Sequence, residues 1–474
     1  MPIETRTKIL ATIGPSTATK AKLAELIDAG ADAFRINFSH GTYDEHKNRI
    51  KAIRKLEKEK KRVIAILADM QGPKLRVGNF KEEKVWLEDG QTFTLDMKNE
   101  LGDNTRVCLP HKEIFAAIKV GDKLLVNDGY IVLEVTKASK TAIETVVKVG
   151  GYISSHKGVN LPNTKLKISA ITEKDKKDLK FALRNGVDWI GLSFVQRCED
   201  IIEVKKLIKG KAKVIAKLEK PSAIDDLDNI VKEADAIMVA RGDLGVECPL
   251  PTVPVLQKRI IKTCRKYAKP VIVATQMLES MIVNPTPTRA EVSDVATAVY
   301  DGADTVMLSA ETAAGKYPIE AVKMMNSIID KVETDPLFFE LMNNSRRKAF
   351  EADEADAITF AASELAGVLK NVKAIVSFSS SGFTTFLTAK ERPSLPILAM
   401  SPDVKVARQM SIVWGVRPYI NRDSFKKFAN VEKCAMKYVK KAGLAKAGDH
   451  IIITAGFPLN IKGRTNLLHT IKVK

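Results

Sequence analysis

One lysine and two acidic residues stand at a spacing that suits chemistry on a phosphoryl group or an enolate. Lys217 and Glu219 lie two residues apart at the end of a β-branched run, and Asp243 follows the next such run. Residues two apart in a strand point to the same face, so Lys217 and Glu219 form a natural pair. Two carboxylates suit Mg²⁺ or Mn²⁺, and the ammonium can neutralise a developing negative charge. An ion pair that only closes the top of a barrel is the alternative interpretation.

Other polar residues near the ends of apolar runs could bind anionic groups. Gly242 lets the backbone approach a bound carboxylate closely, and Thr275 offers a hydroxyl group. Arg35 and Arg76 are candidate phosphate anchors, because a guanidinium can hold two phosphate oxygens at once. The chain has no Gly-x4-Gly-Lys-Ser/Thr loop, so a nucleotide would have to be bound without that motif.

The elements that would position these residues follow a β/α rhythm, in which short β-branched runs alternate with stretches of helical periodicity. The predicted strands are 8–13, 33–38, 63–68, 189–194, 213–218, 236–240, 270–274 and 304–308. Eight such units with short crossovers predict a closed, parallel (β/α)8 barrel of the TIM type, with an open doubly wound sheet as the alternative. Catalytic groups would then lie at the carboxyl ends of the strands.

Two further domains are predicted from changes in this rhythm. Residues 73–168 alternate with period two and contain the hairpin signal Asn127-Asp128-Gly129, which indicates an inserted small β-barrel domain placed as a lid. After residue 339 the β/α alternation resumes and predicts a C-terminal α/β domain with a doubly wound sheet. The barrel would therefore comprise 1–72 and 169–339, the lid 73–168 and the third domain 340–474.

Composition limits the class of protein. The 474 residues are 45% hydrophobic, no apolar run is long enough to span a membrane, and the first residues lead directly into a strand, so a cytoplasmic enzyme is expected. The five scattered cysteines indicate neither disulfides nor zinc. The net charge of +19 would attract polyanions, but it is spread over helices with few aromatic residues, so nucleic acid is not an expected partner.

Seven runs in the chain, taken together, resemble the pyruvate kinase family. They are 11–15 (ATIGP), 35–41 (RINFSHG), 157–162 (KGVNLP), 217–219 (KLE), 238–246 (MVARGDLGV), 274–281 (ATQMLESM) and 307–312 (MLSAET). The resemblance implies transfer of a phosphoryl group from phosphoenolpyruvate to ADP in glycolysis, followed by protonation of the enolate to pyruvate. It also implies a homotetramer. An aldolase or a dikinase acting on related substrates, and an RNA-binding barrel, are the weaker alternatives.

The resemblance also implies roles for individual residues. Glu219 and Asp243 would bind the divalent metal, and Lys217 would neutralise the moving phosphoryl group and the enolate oxygen. Thr275 would lie near the enolate carbon and relay a proton with Ser309 or Glu311, a choice that the sequence leaves open. The substrate-binding residues would be Arg35, Lys217, Gly242, Asp243 and Thr275. Those that contact phosphates or close over the nucleotide would be Arg35, His40, Arg76, Lys157 and Asp128.

One departure from the family pattern concerns a monovalent cation. Many family members bind K⁺ near a Thr-Lys-Gly-Pro-Glu segment; this chain keeps Asn37, Ser39 and Asp69 but reads Met70-Gln71-Gly72-Pro73-Lys74. An ammonium near Asp69 could take the place of the ion, since opposite charges ~4 Å apart attract by several kcal/mol at intermediate dielectric. The sequence therefore predicts activity without K⁺, against the alternative that Lys74 simply points to solvent.

A loop in the third domain is a candidate effector site. The residues Ser379, Ser380, Ser381, Gly382, Phe383 and Thr384 follow a predicted strand and open a helix, an arrangement that suits a phosphate group. The resemblance implies allosteric regulation through this loop. A helix-capping turn without a ligand is an equally good interpretation.

Overall fold

The computed structural model describes residues 5–162, 164, 166, 168–346, 353–423, 428–458 and 464–474. The strands, numbered in chain order, are β1 (Lys8–Ile13), β2 (Ala33–Asn37), β3 (Ala65–Asp69), β4 (Lys84–Leu87), β5 (Thr92–Asp96), β6 (Arg106–Cys108), β7 (Lys123–Val126), β8 (Ile131–Ala138), β9 (Ala142–Val149), β10 (Gly151–Ser154), β11 (Val159–Asn160), β12 (Trp189–Leu192), β13 (Lys213–Leu218), β14 (Ala236–Ala240), β15 (Val271–Ala274), β16 (Thr305–Leu308), β17 (Val372–Phe378), β18 (Ile397–Ser401), β19 (Val416–Ile420), β20 (His450–Ala455) and β21 (Leu467–Lys472).

The helices, also in chain order, are α1 (Lys20–Ala29), α2 (Tyr43–Glu59), α3 (Lys112–Ala117), α4 (Glu173–Arg184), α5 (Cys198–Ile208), α6 (Pro221–Asp225), α7 (Leu227–Glu233), α8 (Arg241–Glu247), α9 (Val253–Lys266), α10 (Arg289–Tyr300), α11 (Ala310–Ala313), α12 (Pro318–Thr334), α13 (Pro336–Arg346), α14 (Glu354–Val368), α15 (Phe383–Lys390), α16 (Val404–Gln409) and α17 (Phe428–Lys441). Within the described ranges, none of these helices is both long enough and apolar enough to cross a membrane.

Eight parallel strands close into a barrel in the order β1-β16-β15-β14-β13-β12-β3-β2. The predicted (β/α)8 barrel is therefore confirmed, and each of the eight predicted strands overlaps one of its members. The registers bring the strand ends together; for example, Asp69 lies opposite Asn37 on one side and Gly191 on the other. The polar residues that end β2, β3 and β13 consequently share one rim.

Tight turns return the chain from each helix to the next strand. At Gly30 the backbone has φ of 125°, and its N–H donates to the carbonyls of Leu26 and Ile27 at the end of α1. Gly302, at the corresponding place before β16, has φ of 94°. Side chains with a Cβ rarely adopt these backbone conformations, which explains the glycine that begins the Gly-Ala-Asp sequence at both 30–32 and 302–304.

The barrel contains two layers of apolar packing. Its outer layer joins strands to helices, and its interior is filled by side chains that include Leu67, Trp189, Met238 and Met307. Ile412, which comes from the C-terminal domain, packs with this interior cluster. The base of the barrel is thus closed by the third domain, whereas the opposite rim carries the polar strand ends.

The inserted segment forms a six-stranded sheet in the order β11-β7-β8-β9-β5-β6 and a two-stranded sheet of β10 and β4. Residues from both sheets, among them Leu87, Phe93 and Ile153, share one apolar core. The predicted hairpin joins β7 to β8, with positive φ at Asn127 and Asp128. This strand-rich domain leaves the barrel after β3, at the rim where the polar residues gather.

The C-terminal domain is a five-stranded α/β sheet in the order β19-β18-β17-β20-β21. Its first four strands are parallel, and β21 is antiparallel to β20. The chain starts at the central strand β17 and adds strands on both sides, the pattern of a doubly wound sheet. The predicted α/β domain is confirmed.

Candidate active site

The centre of the rim is a buried ion cluster of Asp69, Lys217 and Glu219. Lys217 Nζ lies 2.9 Å from Glu219 Oε1 and 3.4 Å from Asp69 Oδ1. The three residues are 9% exposed or less. Lys217 and Glu219 do face the same way, as their spacing predicts. Asp69 comes from β3, which is separated from β13 by β12, so its contact with Lys217 is not evident from sequence spacing.

Ser193 fixes the position of the lysine ammonium. Lys217 Nζ donates a hydrogen bond to Ser193 Oγ at 2.7 Å, and that hydroxyl donates to the Met70 carbonyl at 2.8 Å. Ser193 directly follows Leu192, the last residue of β12, and the sequence shows it only as a polar residue at a strand end. With Asp69 and Glu219, it gives the ammonium three oxygen neighbours.

Arg35 adds a second cation to the cluster. Its Nε donates to Asp69 Oδ2 at 2.7 Å, and its Nη1 donates to Thr12 Oγ1 at 3.2 Å. The guanidinium is only partly buried, with 13% of the side chain exposed. Asp69 thus holds Arg35 and Lys217 on either side, and the two cations face the space above the rim.

The pKa values in the cluster follow from burial and from opposing charges. Burial would raise the pKa of Asp69, but the charges of Lys217 and Arg35 outweigh it and hold that pKa below its ordinary value. Burial would lower the pKa of Lys217, yet Asp69 and Glu219 raise it, so the ammonium stays charged. Burial, assisted by the charge of Asp243, raises the pKa of Glu219. The lysine is therefore a stable cation, whereas burial and the charge of Asp243 outweigh the effect of Lys217 on the pKa of Glu219.

Glu219 and Asp243 fit a divalent cation. Asp243 lies in the first turn of α8, directly after β14, which is the neighbour of β13. Glu219 Oε2 accepts the N–H of Phe194 at 2.9 Å, and Oε1 lies 2.9 Å from the Lys217 ammonium. Two neighbouring carboxylates whose charges repel each other form the hard oxygen donor set that Mg²⁺ or Mn²⁺ prefers.

Gly242 and Thr275 meet across β14 and β15. The N–H of Gly242 donates to Thr275 Oγ1 at 2.8 Å, and that hydroxyl donates to the Ala274 carbonyl at 2.5 Å. Thr275 has φ of 72°, an uncommon conformation for a β-branched residue. Arg241 supports it by donating to the Thr275 carbonyl at 2.7 Å while pairing with Asp294. Strained backbone held in this way is characteristic of functional loops.

Glu311 connects the loops that follow β15 and β16. Its carboxylate accepts the N–H of Ser309 at 2.6 Å and the N–H of Leu278 at 3.2 Å. The residue is 2% exposed, and burial raises its pKa. The structure therefore gives Glu311 backbone partners on both oxygens. Ser309 precedes the short helix α11, next to this carboxylate.

The predicted phosphate-binding residues Arg76, Lys157 and Asp128 lie in the inserted domain, and His40 lies in the exposed loop after β2. Arg76 donates to the His156 carbonyl at 2.6 Å, which keeps its side chain beside Lys157. A cavity of ≈ 210 Å³ separates the inserted domain from the rim and is lined by Lys74, Asp128, Lys220 and Asp243. The structure thus brings Asp128 and Asp243 to opposite walls of one cleft.

The predicted monovalent-cation residues are arranged around Asp69, but Lys74 is not in contact with it. Lys74 is exposed, and the described ion pairs of Asp69 are those with Arg35 and Lys217. Asn37 Oδ1 accepts the N–H of Ser39 at 3.1 Å. The sequence alone could not show which cation lies beside Asp69, because it gives no distance from Asp69 to Arg35, Lys217 or Lys74.

The candidate effector loop, 379–384, comprises the connection between β17 and α15 and the first two residues of α15 in the C-terminal domain. Gly382 caps α15 with φ of 87°. The Thr384 hydroxyl is buried and hydrogen-bonded to that of Thr465 at 2.6 Å, and Ser379 is 8% exposed. Two of the six residues are therefore largely turned inward, and the remaining hydroxyls, of Ser380 and Ser381, precede the helix.

Comparisons with known proteins agree with this geometry. The pyruvate kinase barrel-domain model matches residues 4–322, and the pyruvate kinase alpha/beta-domain model matches residues 356–471. The chain is 48% identical to a pyruvate kinase of Methylorubrum extorquens, over 98% of this chain and 96% of the relative. It is 41% identical to a pyruvate kinase of Thermotoga maritima, over 98% and 99% of the two chains.

Among solved structures, a pyruvate kinase from Cryptosporidium parvum superposes with a TM-score of 0.93 at 33% identity, covering 99% of this chain and 96% of the other. The matches include the barrel, the inserted domain and the C-terminal domain, and hence every residue of the ion cluster. This chain belongs to the pyruvate kinase family of phosphotransferases.

Proposed function

We propose that this protein transfers the phosphoryl group of phosphoenolpyruvate to ADP, giving pyruvate and ATP, with Mg²⁺ or Mn²⁺ bound by Glu219 and Asp243. The observation that carries the proposal is the buried ammonium of Lys217, held between Asp69, Glu219 and Ser193 at the carboxyl end of the barrel. Family membership supports the same substrates.

In this proposal the chain's own residues supply positioning and charge. Lys217 lies beside the proposed metal carboxylate and stabilises negative charge that develops on the phosphoryl and enolate oxygens. Arg35 extends the positive surface and orients the substrate phosphate. The bound metal ion supplies Lewis-acid charge neutralisation. Because the cations are fixed by hydrogen bonds before substrate arrives, little reorganisation is needed during the reaction.

Protonation of the enolate is assigned to the Thr275 side of the site. The Thr275 hydroxyl accepts from Gly242 and donates to Ala274, so it already belongs to a hydrogen-bonded chain. Ser309 and Glu311 remain candidates for the relay. Since both Glu311 oxygens accept backbone N–H groups, its part in the proposal is to hold the loop of Ser309.

The direct test is formation of pyruvate from phosphoenolpyruvate and ADP, followed through a coupled reduction of pyruvate. Turnover is expected with Mg²⁺ or Mn²⁺ and should disappear after chelation and return on adding either ion. Turnover that continues in a metal-free preparation would contradict the metal assignment. Failure to form pyruvate under any metal condition would contradict the reaction itself.

We also propose that activity does not require K⁺. Lys74 replaces a glutamate of the family segment and lines the cleft between the inserted domain and the rim. Its exposure leaves the ammonium free to approach the substrate when the cleft is filled, and Arg35 and Lys217 already provide Asp69 with two cations. Equal turnover in K⁺-free and K⁺-containing buffer at saturating Mg²⁺ is expected, and collapse without K⁺ would refute it.

Further proposals concern regulation and assembly. The hydroxyls of Ser380 and Ser381 and the amino end of α15 support binding of a phosphorylated effector at loop 379–384. A homotetramer and a cytoplasmic location remain predictions from family resemblance and composition. The division into 1–72, 73–168, 169–339 and 340–474 is likewise proposed as the domain division of the chain.

A further inference from the structure

A buried carboxylate outside the ion cluster connects the barrel to the inserted domain. Glu247, the last residue of α8, is 3% exposed. Its Oε1 accepts a hydrogen bond from Asn160 Nδ2 at 2.7 Å and forms an ion pair with Lys220 Nζ. Asn160 belongs to β11, where the inserted domain returns toward the barrel. One carboxylate therefore joins a helix of the barrel, the loop after β13 and the lid.

The two ends of this ion pair are attached to the two proposed metal ligands. Lys220 follows Glu219 directly in the chain, and Glu247 is one helical turn beyond Asp243 in α8. Residues four apart lie on the same side of a helix, so a displacement of Glu247 is expected to displace Asp243 as well. The ion pair consequently spans the gap between the segments that carry Glu219 and Asp243.

The pair is built to hold a fixed distance. The Glu247 side chain is 1% exposed and the Lys220 side chain 17% exposed, so water screens their attraction only weakly. The Lys220 ammonium also lies 5.7 Å from the centre of the Phe194 ring, and the backbone N–H of Phe194 donates to Glu219. Breaking a buried pair by removing one partner leaves an uncompensated charge, so both partners should keep their positions.

From these contacts we infer that Glu247 is a positioning residue: its ion pair with Lys220 sets the separation of Glu219 and Asp243, and its hydrogen bond to Asn160 couples the lid to that separation. The inference rests on the proposed metal site. It adds a role for three residues, Glu247, Lys220 and Asn160, of which Lys220 and Asn160 also line the cleft.

Because the two partners carry opposite charges, substituting each in turn can distinguish a positioning role from a purely electrostatic effect on the metal site. If the pair acts only through charge, Lys220→Met should tighten binding of a divalent cation and Glu247→Gln should weaken it. If the pair sets the geometry, both substitutions should weaken binding, and the double variant should be no worse than the weaker single variant, because one interaction is lost in each case.

The experiment is a titration of the purified full-length protein with Mn²⁺, in which free Mn²⁺ is measured by electron paramagnetic resonance. Lys220→Met and Glu247→Gln are each expected to raise the Kd about tenfold, with the double variant close to the singles. Lys220→Arg, which keeps the charge and can reach Glu247, should bind within about threefold of wild type. Opposite signs for the two single variants, or wild-type binding in both, would overturn the inference.

Two controls keep the result interpretable. Glu219→Gln tests the proposed function separately. If this variant binds Mn²⁺ like wild type, the proposed metal site is wrong. If Mn²⁺ binding is lost in Glu219→Gln but not in the Lys220 and Glu247 variants, the proposed metal site stands and the role of Glu247 is refuted. Asn160→Ala cuts only the lid connection and should keep the Mn²⁺ affinity within about twofold while raising the KM for ADP several-fold. An unchanged KM would refute the coupling, and it stays measurable if Lys220→Met does not fold.

Discussion

The two ends of the barrel both contain buried charges, but they satisfy them differently. At the base, Glu57 accepts from Arg408 Nε at 2.9 Å and from the N–H of Ile64 at 3.1 Å. Asp304, also at the base, pairs with Arg392 at 3.0 Å and accepts the N–H of Val271 at 3.0 Å. At the rim, Glu219 has one backbone donor and an oxygen whose nearest described cation is a lysine.

The difference distinguishes buried charges that join two domains from buried charges in the candidate active site. Planar guanidinium groups and backbone N–H groups occupy the carboxylates at the base, where Arg408 and Arg392 of the C-terminal domain join it to the barrel. At the rim a compact ammonium is held by two carboxylates and a hydroxyl group. A guanidinium, which donates two parallel hydrogen bonds, suits a permanent contact between domains. A compact ammonium suits a site that binds and releases a ligand.

The largest expected effect comes from removing the cation at the rim. Lys217→Met should lower kcat by about 10³-fold, since a preorganised charge at the developing anion is typically worth that much. Steady-state kinetics of pyruvate formation measures the loss. Lys213→Met, at the opposite end of the same strand, is the matched control and should keep kcat within about threefold.

A loss in Lys217→Met that appears only in KM for phosphoenolpyruvate, with kcat unchanged, would contradict the assigned role. It would mean that the lysine binds ground state and transition state equally.

The second expected effect is on stability and arises at the base. Arg392→Met should lower the free energy of unfolding by about 3 kcal/mol, because it strands the buried Asp304 carboxylate. The kcat of the folded protein should remain close to wild type. Thermal unfolding and steady-state kinetics on the same preparation test both parts.

The matched control for the base is Arg197→Met, whose side chain is 63% exposed and should change stability by about 0.5 kcal/mol or less. Equal losses in the two arginine variants, or a large loss of kcat in Arg392→Met, would erase the distinction between the two ends.

A smaller effect is expected where the rim meets the lid. Lys74→Glu restores the acidic residue of the family segment and reverses the charge facing the cleft. Turnover of this variant in K⁺-free buffer should be about tenfold below that of wild type and should recover when K⁺ is added. Wild-type turnover should be the same with and without K⁺. Lys74→Gln, which only neutralises the charge, should fall between them. A Lys74→Glu variant that stays indifferent to K⁺ would contradict the proposed replacement of the ion.

The smallest effect is a pH dependence of stability at the rim. The pKa of Asp69 is held below its ordinary value, so its ion pairs stabilise the fold above that ordinary value and are lost as pH falls through the folded-state pKa. The difference in melting temperature between wild type and Asp69→Asn should be constant from pH 7 to about 4 and shrink below it. A gap that widens on acidification would contradict the sign of the shift.

Much of this arrangement follows from the sequence, because the β/α periodicity and the eight predicted strands specify the barrel and therefore which residues reach its rim. The pairing of Lys217 with Glu219 needs only the period of a strand. The contact of Asp69 with Lys217 cannot be predicted from that period, since it crosses β12 and depends on side-chain length. Lys74 shows the same limit: its type predicts a charge, but only the fold shows that the charge lies in the cleft.

The roles of Ser193, Glu247 and Glu311 were beyond sequence reasoning for a related reason. Each accepts a hydrogen bond from a residue distant in the chain: Lys217 for Ser193, Asn160 for Glu247 and Leu278 for Glu311. The available signal was Lys220, a basic residue directly after Glu219, the carboxylate that is proposed to bind the metal.

The contrast between the carboxylates at the rim and those at the base is tested most directly by counting the Mn²⁺ ions bound per chain at equilibrium. The proteins to compare are wild type, Glu219→Gln and Glu57→Gln. Wild type and Glu57→Gln should each bind one ion tightly, and Glu219→Gln should bind none at the same concentration. Tight binding that survives in Glu219→Gln, or disappears in folded Glu57→Gln, would contradict the assignment of the metal to the rim.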